Sequence, residues 1–197
     1  MENITKFFSE MQMLKRLDHI GLRLAGVLNT DSIADHALIS AQIAFVLADM
    51  EGADPFKTAA INIFHDNHET RIGDHNKVSS RYLDTKDAEI QAEIEQFKAL
   101  DGDIGSKVVS MLDEKRYRNT KEGIIAQDAD WLEQAIQAKI YLEQGFKGSQ
   151  IWIDNVERAL ETEGAKKILA EIIKCEDFTN IWWQDLKKMT YEKLGKS

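Results

Sequence analysis

The sequence predicts an all-α fold, on three observations. Its 197 residues include one proline, Pro55. Apolar residues recur every three or four positions along most of the chain, as one buried helix face requires. No segment alternates at period two around an Asn-Gly or Asp-Gly turn, which is how a hairpin would announce itself. No repeat, low-complexity tract or Pro/Ser-rich linker divides the chain, so residues 1–197 read as one domain with a substantial core.

Each element has its own signal. Residues 2–17 place Ile4, Phe7, Phe8, Met11 and Leu14 on one stripe. The next helix, 31–50, has Thr30 or Asp31 as N-cap, turns Ile33, Ala37, Ile43, Ala44 and Leu47 inward, and ends before Gly52. Asp54-Pro55 is a cap followed by proline in the first turn, and that helix runs through Ala59, Ile61 and Phe64. Further helices are predicted at 86–99, 104–115, from Lys121 to Gln144 with Gly145 just beyond, and at 149–161, 164–175 and 178–193. The last carries Trp182-Trp183, whose two rings point to different faces. These rings and Phe7-Phe8 read as core or dimer surface, and the acidic stretch 84–95 as a solvated face.

Composition excludes several function classes. With 25 basic and 34 acidic side chains the net charge is −9, a field that opposes a phosphate backbone, so nucleic acid is not an expected partner. The single cysteine, Cys175, cannot form an intramolecular disulfide and suits a reducing cytoplasm. The N-terminal "MENITKFFSEMQML" lacks the basic and apolar regions of a signal peptide. No apolar stretch is read as approaching the ~18 residues of a membrane span. The expectation is a cytoplasmic protein with no membrane attachment.

All five histidines, His19, His36, His65, His68 and His75, fall within the first 75 residues. The segment "INIFHDNHETRIGDH" gathers three of them where an apolar helix ends. His65 and Asp66, about 100° apart on a helix, can both reach an ion off its end. Glu69 returns to that face and puts a carboxylate beside it. Other donors must come from other helices: His36 lies in the apolar "SIADHALIS", and Asp130 lies mid-helix in "IIAQDADWLEQAIQA". Two histidines and two aspartates make a mixed nitrogen/oxygen site with open positions, suited to one divalent ion such as Mn, Co, Fe or Zn.

In order, His36, His65-Asp66 and Asp130 resemble the H…HD…D signature of the HD-domain metal-dependent phosphohydrolases. "HDNHETRIGD" resembles the HD-x-x-E-x-x-x-G-D pattern of the branch that contains the 5′-deoxynucleotidases, "SIADH" its first-histidine motif, and "QDADWLEQAIQAKIYLEQG" its last-aspartate helix. The likeness extends weakly through the C-terminal region. It implies an HD-domain helical bundle in which His36, His65, Asp66 and Asp130 bind the metal. Asp130 is preferred to Asp128 because Asp130 and Glu133 match the family spacing. Glu69 would orient or deprotonate the attacking water, and Asp74 would hold the sugar or support the site, with His68 and His75 flanking it. Family members often carry an Arg and a Gly-Trp pair before the first histidine. Here Gly21 fits, Leu22 replaces the Trp, and His19 stands where the Arg is common, leaving His19 and Arg23 as candidate phosphate contacts.

The resemblance thus implies a 5′-deoxynucleotidase that hydrolyses deoxyribonucleoside 5′-monophosphates to nucleoside and phosphate, working as a homodimer. The alternatives are a hydrolase of cyclic, polyphosphate or triphosphate nucleotides, and a metal- or nucleotide-binding module without turnover.

Overall fold

The computed structural model describes residues 1–100, 102–184 and 186. Among them nine α-helices are named: α1 Glu2–Met11, α2 Ile33–Glu51, α3 Pro55–Phe64, α4 Glu69–Ile72, α5 Lys86–Lys98, α6 Ile104–Tyr117, α7 Lys121–Glu143, α8 Gln150–Ala159 and α9 Glu163–Lys174. The described residues form no strand, and an isolated antiparallel bridge joins Asp18 to Ser32. The all-α expectation holds.

Side-chain caps open α2, α3, α7 and α9. The Asp54 side chain accepts from the Phe56 and Lys57 amides, with Pro55 in the first turn. Thr120 accepts from the Gly123 amide and Thr162 from the Ala165 amide. Gly52 closes α2 with positive φ, as a Cβ-free residue can. The N-cap of α2 is neither Thr30 nor Asp31. It is Ser32, in a reciprocal capping box with Asp35, and the box satisfies two amides where either predicted residue would satisfy one. The first helix is shorter than expected: it ends at Met11 and tightens to a 3₁₀ turn over Gln12–Lys15. Phe8 lies outside the core, 62% exposed, while Phe7 packs on Phe97. Of the helix expected at 178–193, residues 181–184 are helical and most of the remainder lies outside the described residues. Trp182 is 73% exposed, and the Trp183 indole donates to Asn180.

The core lies between α2 and α7, with α3 on α2 and α8 and α9 on α7. Ala126, Ala129, Ala135 and Ala138 of α7 are fully buried, as are Ala44 and Ala48 of α2. Small residues at these contacts bring helix axes toward the short end of the usual 8–10 Å range. That closeness lets side chains from α2 and α7 meet. Contrary to the expectation from the sequence, one stretch does approach a membrane span: α2, at 19 residues, is long and apolar enough by composition. In the fold α2 is a core helix, and its apolarity serves the contacts with α3 and α7.

The α6–α7 turn is held by close backbone approach. Arg118 takes positive φ to end α6, and a Cβ on Gly123 would stand 2.1 Å from the Glu114 carbonyl oxygen. Gly123→Ala must push α6 off α7. It is expected to cost about 1–3 kcal/mol, read by thermal unfolding as a fall of about 2–4 °C per kcal/mol.

Candidate metal centre

The centre is assembled from three helices and one helix end. Asn62, buried in α3, donates from Nδ2 to Ser40 Oγ of α2 at 2.8 Å and to the Ala126 carbonyl of α7 at 3.0 Å. This brace fixes the end of α3 against the other two helices. One turn on, His65 Nδ1 faces the Asn62 carbonyl oxygen at 2.8 Å, and His36 Nδ1 faces the buried Glu133 carboxylate. Both partners are acceptors, so each Nδ1 carries a proton, and in its neutral form each ring turns an Nε2 lone pair inward.

The two Nε2 atoms point at each other, 3.3 Å apart. Asp66 Oδ2 lies 3.0 Å from His65 Nε2 and 3.5 Å from His36 Nε2. Asp130 Oδ1 lies 3.2 Å from His36 Nε2 and 3.8 Å from His65 Nε2. Neighbouring donors on an ion with bonds of about 2.0–2.2 Å stand roughly 3.0–3.5 Å apart. Two facing lone pairs flanked by two carboxylate oxygens at this spacing fit a divalent cation, and a mixed nitrogen/oxygen set without thiolate suits a first-row ion. His36, His65 and Asp66 also satisfy the mutual distances of a metal-holding group.

The electrostatics draw positive charge to this point, which an ion would supply in place of a proton. Burial opposes charge on His36, but Asp130 and Glu133 outweigh it and raise its pKa well above the usual value. Burial also opposes charge on Asp66 and Asp130. His65 and His36 hold Asp66 low, and Lys115 with both histidines holds Asp130 low. Lys115 Nζ donates to Asp130 Oδ2 at 2.7 Å, while Gln127 and Gln134 donate to its two oxygens. Asp130 is thereby aimed with Oδ1 inward.

Glu69 opens α4 just after this cluster, its amide donating to the Asp66 carbonyl. Glu10 of α1 anchors that turn by accepting from Thr70, Arg71 and Gln96. Glu69 Oε2 is buried without a hydrogen-bond partner. Burial first, then the Asp66 and Asp74 charges, push the Glu69 pKa up to about 10. Asp74 follows Gly73, whose positive φ stops α4, and accepts from the Ile20 amide at 2.6 Å. The contact ties the His19 segment to the site.

Not every candidate converges. His19 stacks on His36 with ring centroids 4.4 Å apart, and its Nδ1 lies 3.4 Å from Asp31. Arg23 is engaged with Asp18, its side chain 45% exposed. His68 faces the buried Glu93 at 3.4 Å. Asp128 points away from the centre. It is fully buried and accepts from the Glu161 and Thr162 amides and the Thr162 hydroxyl, so it holds the start of α9. Sequence reasoning missed Lys115, Asn62 and the bond from Glu133 to His36. The Asp130–Glu133 spacing was a partial signal for the last of these.

The fold is shared with solved structures. A structural-genomics protein aligns over 93% of this chain and 100% of its own, with 29% identity and a TM-score of 0.75. A conserved hypothetical protein from Pyrococcus furiosus aligns over 87% of this chain and 99% of its own, with 26% identity and a TM-score of 0.73. A protein described as a predicted metal-dependent phosphohydrolase, from Magnetospirillum magnetotacticum MS-1, covers 87% of this chain and 90% of its own at a TM-score of 0.69. Its identity is 18%, so that likeness carries the fold alone. A comparison with curated proteins gives no match. The family model described as HD domain matches residues 11–172. That stretch is well over half of the 197 residues and holds His36, His65, Asp66 and Asp130, and the chain belongs to the HD domain family.

Proposed function

We propose that the chain is a metal-dependent phosphohydrolase acting on deoxyribonucleoside 5′-monophosphates. The observation that carries the reading is the convergence of His36 Nε2, His65 Nε2, Asp66 Oδ2 and Asp130 Oδ1 on one point, beside a buried Glu69. These four side chains would hold the ion, with Glu133 and the Asn62 carbonyl fixing the two imidazoles. A divalent ion so held brings the pKa of water from 15.7 to about 7 and offsets charge on a phosphoryl oxygen.

A divalent cation in the centre would offset the Asp66 charge and favour the carboxylate form of Glu69, which would then accept the proton of the attacking water. The new bond joins that water's oxygen to phosphorus, the bond from phosphorus to the nucleoside 5′-oxygen breaks, and the proton passes to the departing oxygen. Asp74, tied to the Ile20 amide, and His19, stacked on His36, would meet the sugar and phosphate, while Arg23 is engaged with Asp18. A cytoplasmic homodimer belongs to the same reading, supported by the unpaired Cys175 and the exposed Trp182 ring.

The test is phosphate release from paired deoxy- and ribonucleoside monophosphates by metal-stripped protein resupplied with Mn, Co, Mg or Zn. Turnover is expected with the deoxy substrates and a restored ion. Turnover confined to cyclic, polyphosphate or triphosphate nucleotides would move the reading to those substrates.

A further inference from the structure

A fixed positive charge beside the metal helps to hold a phosphoryl group and to offset its charge, and neither His19 nor Arg23 brings one to the centre. Arg23 is engaged with Asp18, and His19 is stacked on His36. The structure offers a cation from another direction. A pocket of about 250 Å³ adjoins the centre, and its walls include His65 and Asp66 on one side and Lys115, Arg116 and Gln127 on the other. Arg116 is engaged with Glu93 and Asp113. Among the described residues Lys115 makes one ion pair, with Asp130, and its ammonium has three N–H donors.

Resting on the reading above, we propose that Lys115 binds the phosphoryl group of the substrate and takes the place of the cation expected near the N-terminus. Its Nζ sits on Asp130 Oδ2 while Oδ1 of the same carboxylate faces His36. One carboxylate therefore separates the ammonium from the metal point. A phosphoryl group on the pocket side can meet the ion with one oxygen and Lys115 with another. The side chain is 12% exposed, so its charge acts through little water. The close contact of Gly123 with the Glu114 carbonyl holds Lys115 in place, next in sequence to that carbonyl. The aim of Asp130 does not rest on Lys115 alone, since Gln127 and Gln134 also hold it.

The experiment uses full-length protein loaded with manganese and inorganic phosphate as probe, with phosphate affinity read from phosphorus NMR relaxation and manganese content measured in parallel. Lys115→Met and Lys115→Gln are both made, so that one misfolded variant does not end the test. Either is expected to weaken phosphate at least about tenfold, the scale of one charge-assisted contact, and to raise KM for the monophosphate. Lys115→Arg should recover most of the loss, and manganese content should stay at the parent level in all three. Unchanged phosphate affinity in both neutral variants overturns the proposal. So does loss of manganese from them, which would make Lys115 a prop for Asp130. A parent protein that binds phosphate but releases none from any monoester would defeat the functional reading and leave the Lys115 comparison intact.

Discussion

Replacing His65 by alanine is expected to abolish tight divalent-ion binding and lower phosphate release by at least about 10³-fold, equivalent to roughly 4 kcal/mol of transition-state stabilisation. His65 contributes one of the two facing Nε2 atoms, and its Nδ1 bond to the Asn62 carbonyl fixes the ring that presents it. Truncation leaves His36 and two carboxylates, a set with a single imidazole and weaker for a first-row ion. Fold loss would be the competing explanation. Asn62 keeps its bonds to Ser40 and Ala126 without the imidazole, so the three-helix brace survives. Equilibrium dialysis against manganese, with far-ultraviolet circular dichroism alongside, separates the two. Lost metal with retained helicity supports this account.

Glu69→Gln carries the second large effect. A general base contributes about 10²–10⁴-fold. The variant should therefore lose that much in kcat while keeping the ion, because Glu69 is not among the four converging donors. The same substitution has a pH signature in chelator-treated protein. Burial and the Asp66 and Asp74 charges raise the folded pKa of Glu69 to about 10, above its ordinary 4.5. A raised folded pKa contributes stability that is fully present below the unfolded value and is lost as pH rises toward the folded one. The Glu69 contribution should decline from about pH 5 upward, as the unfolded chain releases a proton that the fold retains. Glu69→Gln should flatten that decline and gain on the parent as pH rises, by about 2–4 °C in Tm per kcal/mol relieved. Parallel melts at pH 5, 7 and 9 in chelator would read it, and curves that stay parallel would remove Glu69 as the titrating group.

How far the sequence carries can be judged residue by residue. The helices were legible because their signals are local: three-to-four periodicity, one proline placed after Asp54, and glycines at positions 52 and 145. The α2 cap was misplaced among three consecutive polar residues. The Ser32-to-Asp35 spacing of a capping box distinguishes the right one. Phe8 shares the stripe with Phe7 yet stays exposed, because periodicity gives a face without saying whether its full width is covered. At the site, His36, His65, Asp66 and Asp130 were legible as an ordered set, and the structure brings them together. Lys115 was not. It lies 15 residues before Asp130 and reaches it through the turn at Arg118 and the glycine contact at 123, neither of which a periodicity shows. The bond between His36 and Glu133 spans 97 residues, and only packing of α2 on α7 creates it.

The most direct measurement is an anomalous-scattering map of crystals grown with manganese. The account predicts a peak bonded to His36 Nε2, His65 Nε2, Asp66 and Asp130 at about 2.0–2.3 Å. A peak held elsewhere, for instance by Glu89 and Glu93 in the neighbouring pocket, would contradict it.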